Sequence, residues 1–118
     1  MDLPDTVEQG ENSDLTAMRR ALELAWMAAG SSSPNPPVGC VLLDQHNGVV
    51  GEGYTRPPGG PHAEVVALTQ AGTRAVGGTA VTTLEPCAHT GRTGPCAEAL
   101  LAAGVARVVY ALADPNPV

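Results

Sequence analysis

The chain has 118 residues, enough for one hydrophobic core but not for two. Twelve acidic and six basic residues give a net charge of −6. Five of the acidic residues lie in the first fourteen positions, and the remaining seven nearly balance the charge of the six basic residues. The body therefore lacks the basic track that polynucleotide binding requires, and one Trp and two Tyr leave few rings for base stacking, so the composition favours a small-molecule substrate.

The chain also carries no targeting signal that we can recognise. No apolar run approaches eighteen residues, and no basic segment followed by an apolar one opens the sequence, so we expect neither a membrane span nor a secretory signal. The expected location is the cytoplasm. Three cysteines, an odd number without export, argue against a disulfide framework and favour metal or thiol chemistry.

The first half of the chain predicts a helix followed by a hairpin. Residues 1–14 are polar and acidic, which predicts a disordered tail, and Asp14 then resembles the N-cap of a helix that Gly30 closes. The domain is expected to cover residues 15–118. After a proline-rich loop, Val38–Leu43 and Val49–Gly53 are predicted strands. The Asn47-Gly48 step between them is a hairpin-turn signal, so we expect the two strands to be antiparallel.

The second half alternates helices and strands. His62–Ala71 is a predicted helix that begins at the histidine, and Thr79–Leu84 is a predicted strand. Pro95 suits the first turn of a further helix, and the apolar run Val105–Leu112 is typical of a buried parallel strand. The order α-β-β-α-β-α-β indicates the α/β class, with a mixed sheet in a three-layer α/β/α arrangement.

The sequence ends at Asp-Pro-Asn-Pro-Val, directly after the last predicted strand. A fold of this kind would gain from a further helix and strand that cover the open sheet edge. We therefore expect the domain to be truncated at its C-terminal end, and to be part of a longer protein. The same edge favours a homo-oligomer, either a dimer or a tetramer.

Four residues form a pattern typical of catalytic zinc. His62 supplies an imidazole, and Cys87 and Cys96, each preceded by proline, supply two thiolates, a set that suits Zn²⁺ better than Mg²⁺ or Ca²⁺. Three protein ligands leave the fourth tetrahedral position for water, as in catalytic sites. Glu64, two residues after the histidine, is placed to move protons beside the metal without binding it.

The spacing departs from the short zinc-deaminase signature, H-x-E followed by P-C-x-x-C, because eight residues separate Cys87 from Cys96. That insertion points to a family. TLEPCAHTGRTGPC (83–96), PNPPVGCVL (34–42), HAEVVAL (62–68) and ADPNPV (113–118) together closely resemble the deaminase domain of the bifunctional riboflavin-biosynthesis deaminase/reductase. The resemblance implies a cytidine-deaminase-like fold and hydrolytic release of ammonia from a pyrimidinone ribosylamino 5′-phosphate.

The resemblance also implies roles for individual residues. The zinc ligands map to His62, Cys87 and Cys96, and the proton shuttle maps to Glu64. The NADPH-dependent reductase of the family lies C-terminal to the deaminase, and none of it is present in this sequence. The family often has a histidine where this chain has Thr55, which can still donate one hydrogen bond. The remaining candidate substrate contacts are Asn35, His89, Arg92, Asp114 and Asn116.

Two alternative functions remain open at this point. The first is a nucleoside or nucleic-acid base deaminase with the same metal site. The second is a non-catalytic, zinc-stabilised interaction module, in which His89 would be a fourth ligand and close the site. Cys40, in an apolar strand, is interpreted as a small buried core residue rather than as a ligand.

Overall fold

The computed structural model describes residues 6–31, 36–84 and 95–112. The helices and strands, in chain order, are α1 (Thr6–Ala28), β1 (Gly39–Leu43), β2 (Val49–Tyr54), α2 (Ala63–Ala71), β3 (Thr79–Leu84), α3 (Pro95–Ala102) and β4 (Arg107–Leu112). A short 3₁₀ turn over Gly72–Ala75 follows α2. This order confirms the predicted α-β-β-α-β-α-β arrangement.

The four strands form one mixed sheet in the order β2-β1-β3-β4. β1 is antiparallel to both of its neighbours, whereas β4 runs parallel to β3. The crossover between these parallel strands contains α3, as a parallel connection requires. The sheet therefore has the mixed character that the sequence predicts.

The β1–β2 hairpin closes through the predicted turn. Asn47 adopts a left-handed conformation with φ 68°, which asparagine tolerates better than most residues. The Asp44 carboxylate accepts hydrogen bonds from the backbone N–H groups of His46 (2.8 Å) and Gly48 (2.9 Å). These bonds lower the pKa of Asp44, with the Gly48 bond the larger cause.

Helices cover both faces of the sheet and create two small cores. On one face, α1 packs through residues such as Ala21 and Leu24 against Val41 and Val81. On the other face, alanines of α2 and Leu100 of α3 pack against alternate strand residues. This second core consists of Cys40, Leu42, Ala63, Ala67, Ala71, Ala75, Ala80 and Leu100. The three-layer α/β/α prediction is confirmed.

The start of α1 differs from the prediction. The helix begins at Thr6, so that residues 6–14, expected to be a disordered tail, are helical and Asp14 is not an N-cap. No proline interrupts residues 6–14, so a helical backbone can continue through them. Asp14 instead binds Arg107 of β4, whose Nη2 lies 2.6 Å from its Oδ2. Residues 1–5 lie outside the described part of the chain.

The last strand is parallel, as predicted, but it is not buried. β4 lies at the edge of the sheet, and the side chains of Val108 and Tyr110 are 41% and 45% exposed. An apolar run indicates that a strand is suited to burial, but whether the strand is buried depends on the elements that pack against it. Within the described residues, α1 contacts β4 at Arg107 and Val109 but leaves Val108 and Tyr110 exposed. No described helix combines the length and apolar character that a membrane span needs.

Candidate metal centre

The first turns of two helices bring three of the predicted site residues together. His62 is the N-cap of α2, with extended backbone angles of φ −73° and ψ 163°, and its carbonyl accepts the hydrogen bond of Val66 N at 3.1 Å. Glu64 follows in the first turn of α2, and Cys96 lies in the first turn of α3. The prediction that α2 starts at the histidine, and α3 at Pro95, therefore matches the structure to within one residue.

The three side chains form a compact donor cluster. One ligand atom from each of His62, Glu64 and Cys96 lies within 4.8 Å of the others. His62 Nδ1 and Cys96 Sγ are 3.0 Å apart. Glu64 and Cys96 are buried, at 4% and 2% exposure, whereas His62 is exposed. The cluster therefore lies at the edge of the core, and His62 is its solvent-exposed member.

The donor chemistry of this cluster fits zinc. An imidazole nitrogen and a thiol sulfur suit a borderline-soft ion, and Nδ1 is the imidazole atom that faces the sulfur. Two such ligands lie about 3.5 Å apart in a tetrahedral zinc site with usual bond lengths. The observed 3.0 Å contact has to open by roughly half an ångström to admit the ion, which side-chain rotation can supply.

Glu64 differs from an ordinary first-turn glutamate because it is buried. Desolvation raises the pKa of its carboxyl group, while its own backbone N–H, the His62 charge and the Cys96 hydrogen bond oppose that rise. A carboxyl group with a raised pKa takes up a proton more readily near neutral pH. This environment suits a group that accepts a proton and gives it back.

Cys40 lies close to the cluster without joining it. It is fully buried on β1, as predicted, opposite Thr82 of β3. Burial raises the pKa of its thiol, and the charges of Glu64 and Cys96 raise it further. Burial therefore favours the protonated thiol, and Cys40 is not one of the residues of the donor cluster. Sequence reasoning identified its burial but not its nearness to the site, because that nearness arises when α2 packs on the sheet.

Thr55, a candidate substrate contact, has its hydroxyl engaged by the backbone. Val38 N donates to Thr55 Oγ1 at 2.9 Å, and Thr55 Oγ1 donates to Val38 O at 3.3 Å. The side chain is 7% exposed. Its substrate role stays a prediction. The other predicted site residues lie outside the described residues and stay predictions as well; they are Asn35, Cys87, His89, Arg92, Asp114 and Asn116.

Comparison with known proteins identifies the family behind this geometry. Residues 11–112 match the family model of the cytidine and deoxycytidylate deaminase zinc-binding region. The chain belongs to this deaminase family. The match covers both helix starts that carry the donor cluster, so the prediction of a zinc cofactor is confirmed, and the assignment of the individual ligands stays a prediction.

Within the deaminase family, the chain is similar to RibD proteins. The riboflavin biosynthesis protein RibD of Escherichia coli is 57% identical over 100 residues, which cover 85% of this chain and 27% of that protein. RibD of Corynebacterium ammoniagenes is 52% identical over 101 residues, covering 86% of this chain and 30% of that protein. The chain therefore spans less than a third of the length of these curated relatives.

Solved structures agree with the fold. RibD of Acinetobacter baumannii matches with a TM-score of 0.82 and 54% identity over 90% of this chain and 30% of that one. A second match is the Thermotoga maritima diaminohydroxyphosphoribosylaminopyrimidine deaminase/5-amino-6-(5-phosphoribosylamino)uracil reductase. Its TM-score is 0.81 and its sequence identity is 41%, over 91% of this chain and 31% of that one. A Bacillus subtilis guanine deaminase, at 23% identity and a TM-score of 0.61 over 83% of this chain and 63% of that one, shares the fold alone. The resemblance to the RibD deaminase domain and the cytidine-deaminase-like fold are both confirmed.

Proposed function

We propose that this chain is a hydrolytic deaminase domain that releases ammonia from a pyrimidinone ribosylamino 5′-phosphate of riboflavin biosynthesis. The observation that carries the proposal is the buried Glu64 carboxyl group, within 4.8 Å of an imidazole nitrogen and a thiol sulfur at two helix starts. An acid held beside a metal-binding pair is the arrangement that hydrolytic deamination of a heterocycle needs. The substrate class follows from the RibD relatives, one of whose solved structures is named as a deaminase of this kind.

His62 and Cys96 would hold the zinc together with Cys87, which the sequence places after β3. Zinc bound there supplies a Lewis acid and makes water acidic enough to act as a nucleophile near neutral pH. The start of α3 favours the thiolate form of Cys96, because the positive end of the helix dipole stabilises an anion. The exposed side of His62 leaves the centre open to a small molecule.

Glu64 would carry the proton through the reaction. Its carboxylate would accept one proton from the attacking water and donate it to a ring nitrogen. It would then accept the remaining proton of that water from the hydroxyl group of the tetrahedral adduct and donate it to the amino group, which leaves as ammonia. Burial favours the protonated acid between each acceptance and donation, because it raises the cost of the free carboxylate. The carboxylate would act as a proton carrier and not as a ligand, with Cys87 as the third protein donor.

The substrate contacts of the proposal are residues taken over from the family pattern. Arg92 would bind the phosphate as a bidentate donor, and Asn35 would contact the ring. The further candidates are His89, Thr55, Asp114 and Asn116. The domain would act on a small molecule in the cytoplasm as a homo-oligomer, without a nucleic acid or membrane partner. A reductase activity would require sequence beyond this chain.

The direct test is ammonia release from the riboflavin-pathway pyrimidine by the zinc-loaded chain. We expect turnover that a chelator abolishes and added zinc restores. Cytidine, adenosine and guanine serve as control substrates and should give little ammonia. Preferential release from one of these would replace the proposal by the nucleoside or base deaminase alternative. Zinc with four protein ligands and no turnover on any substrate would favour the non-catalytic module.

A further inference from the structure

Helix α2 lies unusually close to strand β2, and two glycines make this possible. A Cβ atom added to Gly53 would overlap the carbonyl oxygen of Ala63 and lie 2.8 Å from Ala67 N, both in the backbone of α2. A Cβ atom on Gly51 would overlap the carbonyl oxygen of Ala67, one turn further along the helix. The distance from each added Cβ atom to the helix carbonyl oxygen that it overlaps is below 3.0 Å, which real Cβ atoms essentially never show. Neither glycine has a positive φ, so space and not backbone conformation requires them.

The helix side of this contact is equally small. Ala63, Ala67 and Ala71 lie on the buried face of α2 and are at most 2% exposed. Because these alanines carry only methyl groups and the two glycines carry no side chain, the backbone of α2 packs directly on β2. The Cβ atom of Val66 also lies 2.8 Å from the position of a Gly53 Cβ. A side chain added at either glycine leaves the helix no flexible group to push aside, so the helix itself has to move.

The two glycines contact overlapping but different parts of α2: the atoms nearest to Gly53 include Ala63 and Ala67, whereas those nearest to Gly51 belong to Ala67 and Ala71. Ala63, which Gly53 contacts, lies between His62 and Glu64. Cys96 lies on α3, a different element. A shift of the first turn of α2 therefore changes the spacing between His62 or Glu64 and Cys96, whereas a shift one turn later acts on residues away from the centre.

We propose that Gly53 is a positioning residue, which sets the height of the first turn of α2 above β2 and thereby the geometry of His62 and Glu64 relative to Cys96. The inference rests on the proposed function, and it adds a residue outside the metal and substrate motifs. Restoring normal contact distances at a Gly53 methyl group requires the first turn to retreat by roughly 0.5–1 Å. A misplacement of about 1 Å can lower catalytic rates about 100-fold.

The test compares Gly53→Ala with the matched variant Gly51→Ala. Both add one methyl group under α2, and both should lower the melting temperature by similar amounts. We expect Gly53→Ala to lose about 100-fold in kcat with little change in KM, and Gly51→Ala to stay within about threefold of the original chain. Absorption of the Co²⁺-substituted proteins provides a readout independent of turnover, because it reports ligand geometry. Only Gly53→Ala should change the cobalt spectrum or lose the ion.

Original kcat and cobalt spectrum in a folded Gly53→Ala protein would overturn the inference, and so would equal losses in the two variants. If Gly53→Ala does not fold, Ala63→Ser provides the second test, because it adds one oxygen at the buried residue whose carbonyl Gly53 contacts. A folded Ala63→Ser protein with the original kcat and spectrum would also contradict the inference. If the original chain releases no ammonia, the proposed function fails, and the cobalt spectra alone decide the role of Gly53.

Discussion

Replacing Thr55 with valine tests whether its hydroxyl serves the fold or a substrate. The substitution keeps the shape of the side chain but removes the oxygen that accepts from Val38 N at 2.9 Å and donates to Val38 O at 3.3 Å. Backbone pairing of the same two residues remains, since Thr55 N donates to Val38 O at 2.9 Å. The change therefore isolates the contribution of the hydroxyl.

The expected loss follows from the donor left behind. Val38 N has no other partner among the described hydrogen bonds, and an unsatisfied buried donor costs about 1–3 kcal/mol. Because this bond is only partly buried, we expect Thr55→Val to lower the free energy of unfolding by about 1–2 kcal/mol. Thr55→Ser keeps the hydroxyl and gives up one methyl group, worth about 0.8 kcal/mol.

Urea unfolding of the zinc-saturated proteins, together with KM and kcat, separates the two roles. A structural hydroxyl predicts that Thr55→Val is less stable than Thr55→Ser while both retain the original KM. The reasoning would be refuted if Thr55→Val unfolded with the original free energy and showed a raised KM that Thr55→Ser did not share. That result would assign the hydroxyl to the substrate.

Three further predictions follow from individual groups. Cys40→Ala should retain zinc and turnover, because Cys40 lies outside the donor cluster; loss of zinc, measured by atomic emission, would contradict this. Cys96→Ser should bind zinc much more weakly in a chelator competition and unfold at lower temperature, and original zinc affinity would remove Cys96 from the site. Asp44 has a lowered pKa, so its contribution to stability is present above about pH 4 and is lost as the pH falls through the folded-state value. The melting-temperature difference between the original chain and Asp44→Ala should therefore shrink as the pH falls below about 4, and a difference that grows on acidification would contradict the assignment.

The sequence predicted those features that depend on local chemistry. The hairpin turn follows from Asn47-Gly48, and the starts of α2 and α3 follow from the residues that begin them. The donor pair His62 and Cys96 was predictable because both residues lie at helix starts within a specific motif. Their approach to 3.0 Å agrees with that motif.

Features that depend on tertiary contacts could not be predicted in the same way. Asp14 looked like an N-cap because its residue type suits one, but its carboxylate binds Arg107, which is 93 residues away in sequence. The exposure of Val108 follows from the position of β4 in the strand order, which an apolar run does not encode. The need for glycine at position 53 arises only when α2 packs on β2.

Zinc content and ammonia release of Glu64→Gln test the central claim most directly, namely that Glu64 moves protons beside a metal held by other residues. The amide fills the same space as the carboxyl group but cannot accept the proton. The account predicts the zinc content of the original chain and a fall in turnover of about 10²–10⁴-fold. Loss of the zinc, or ammonia release at the original rate, would contradict it.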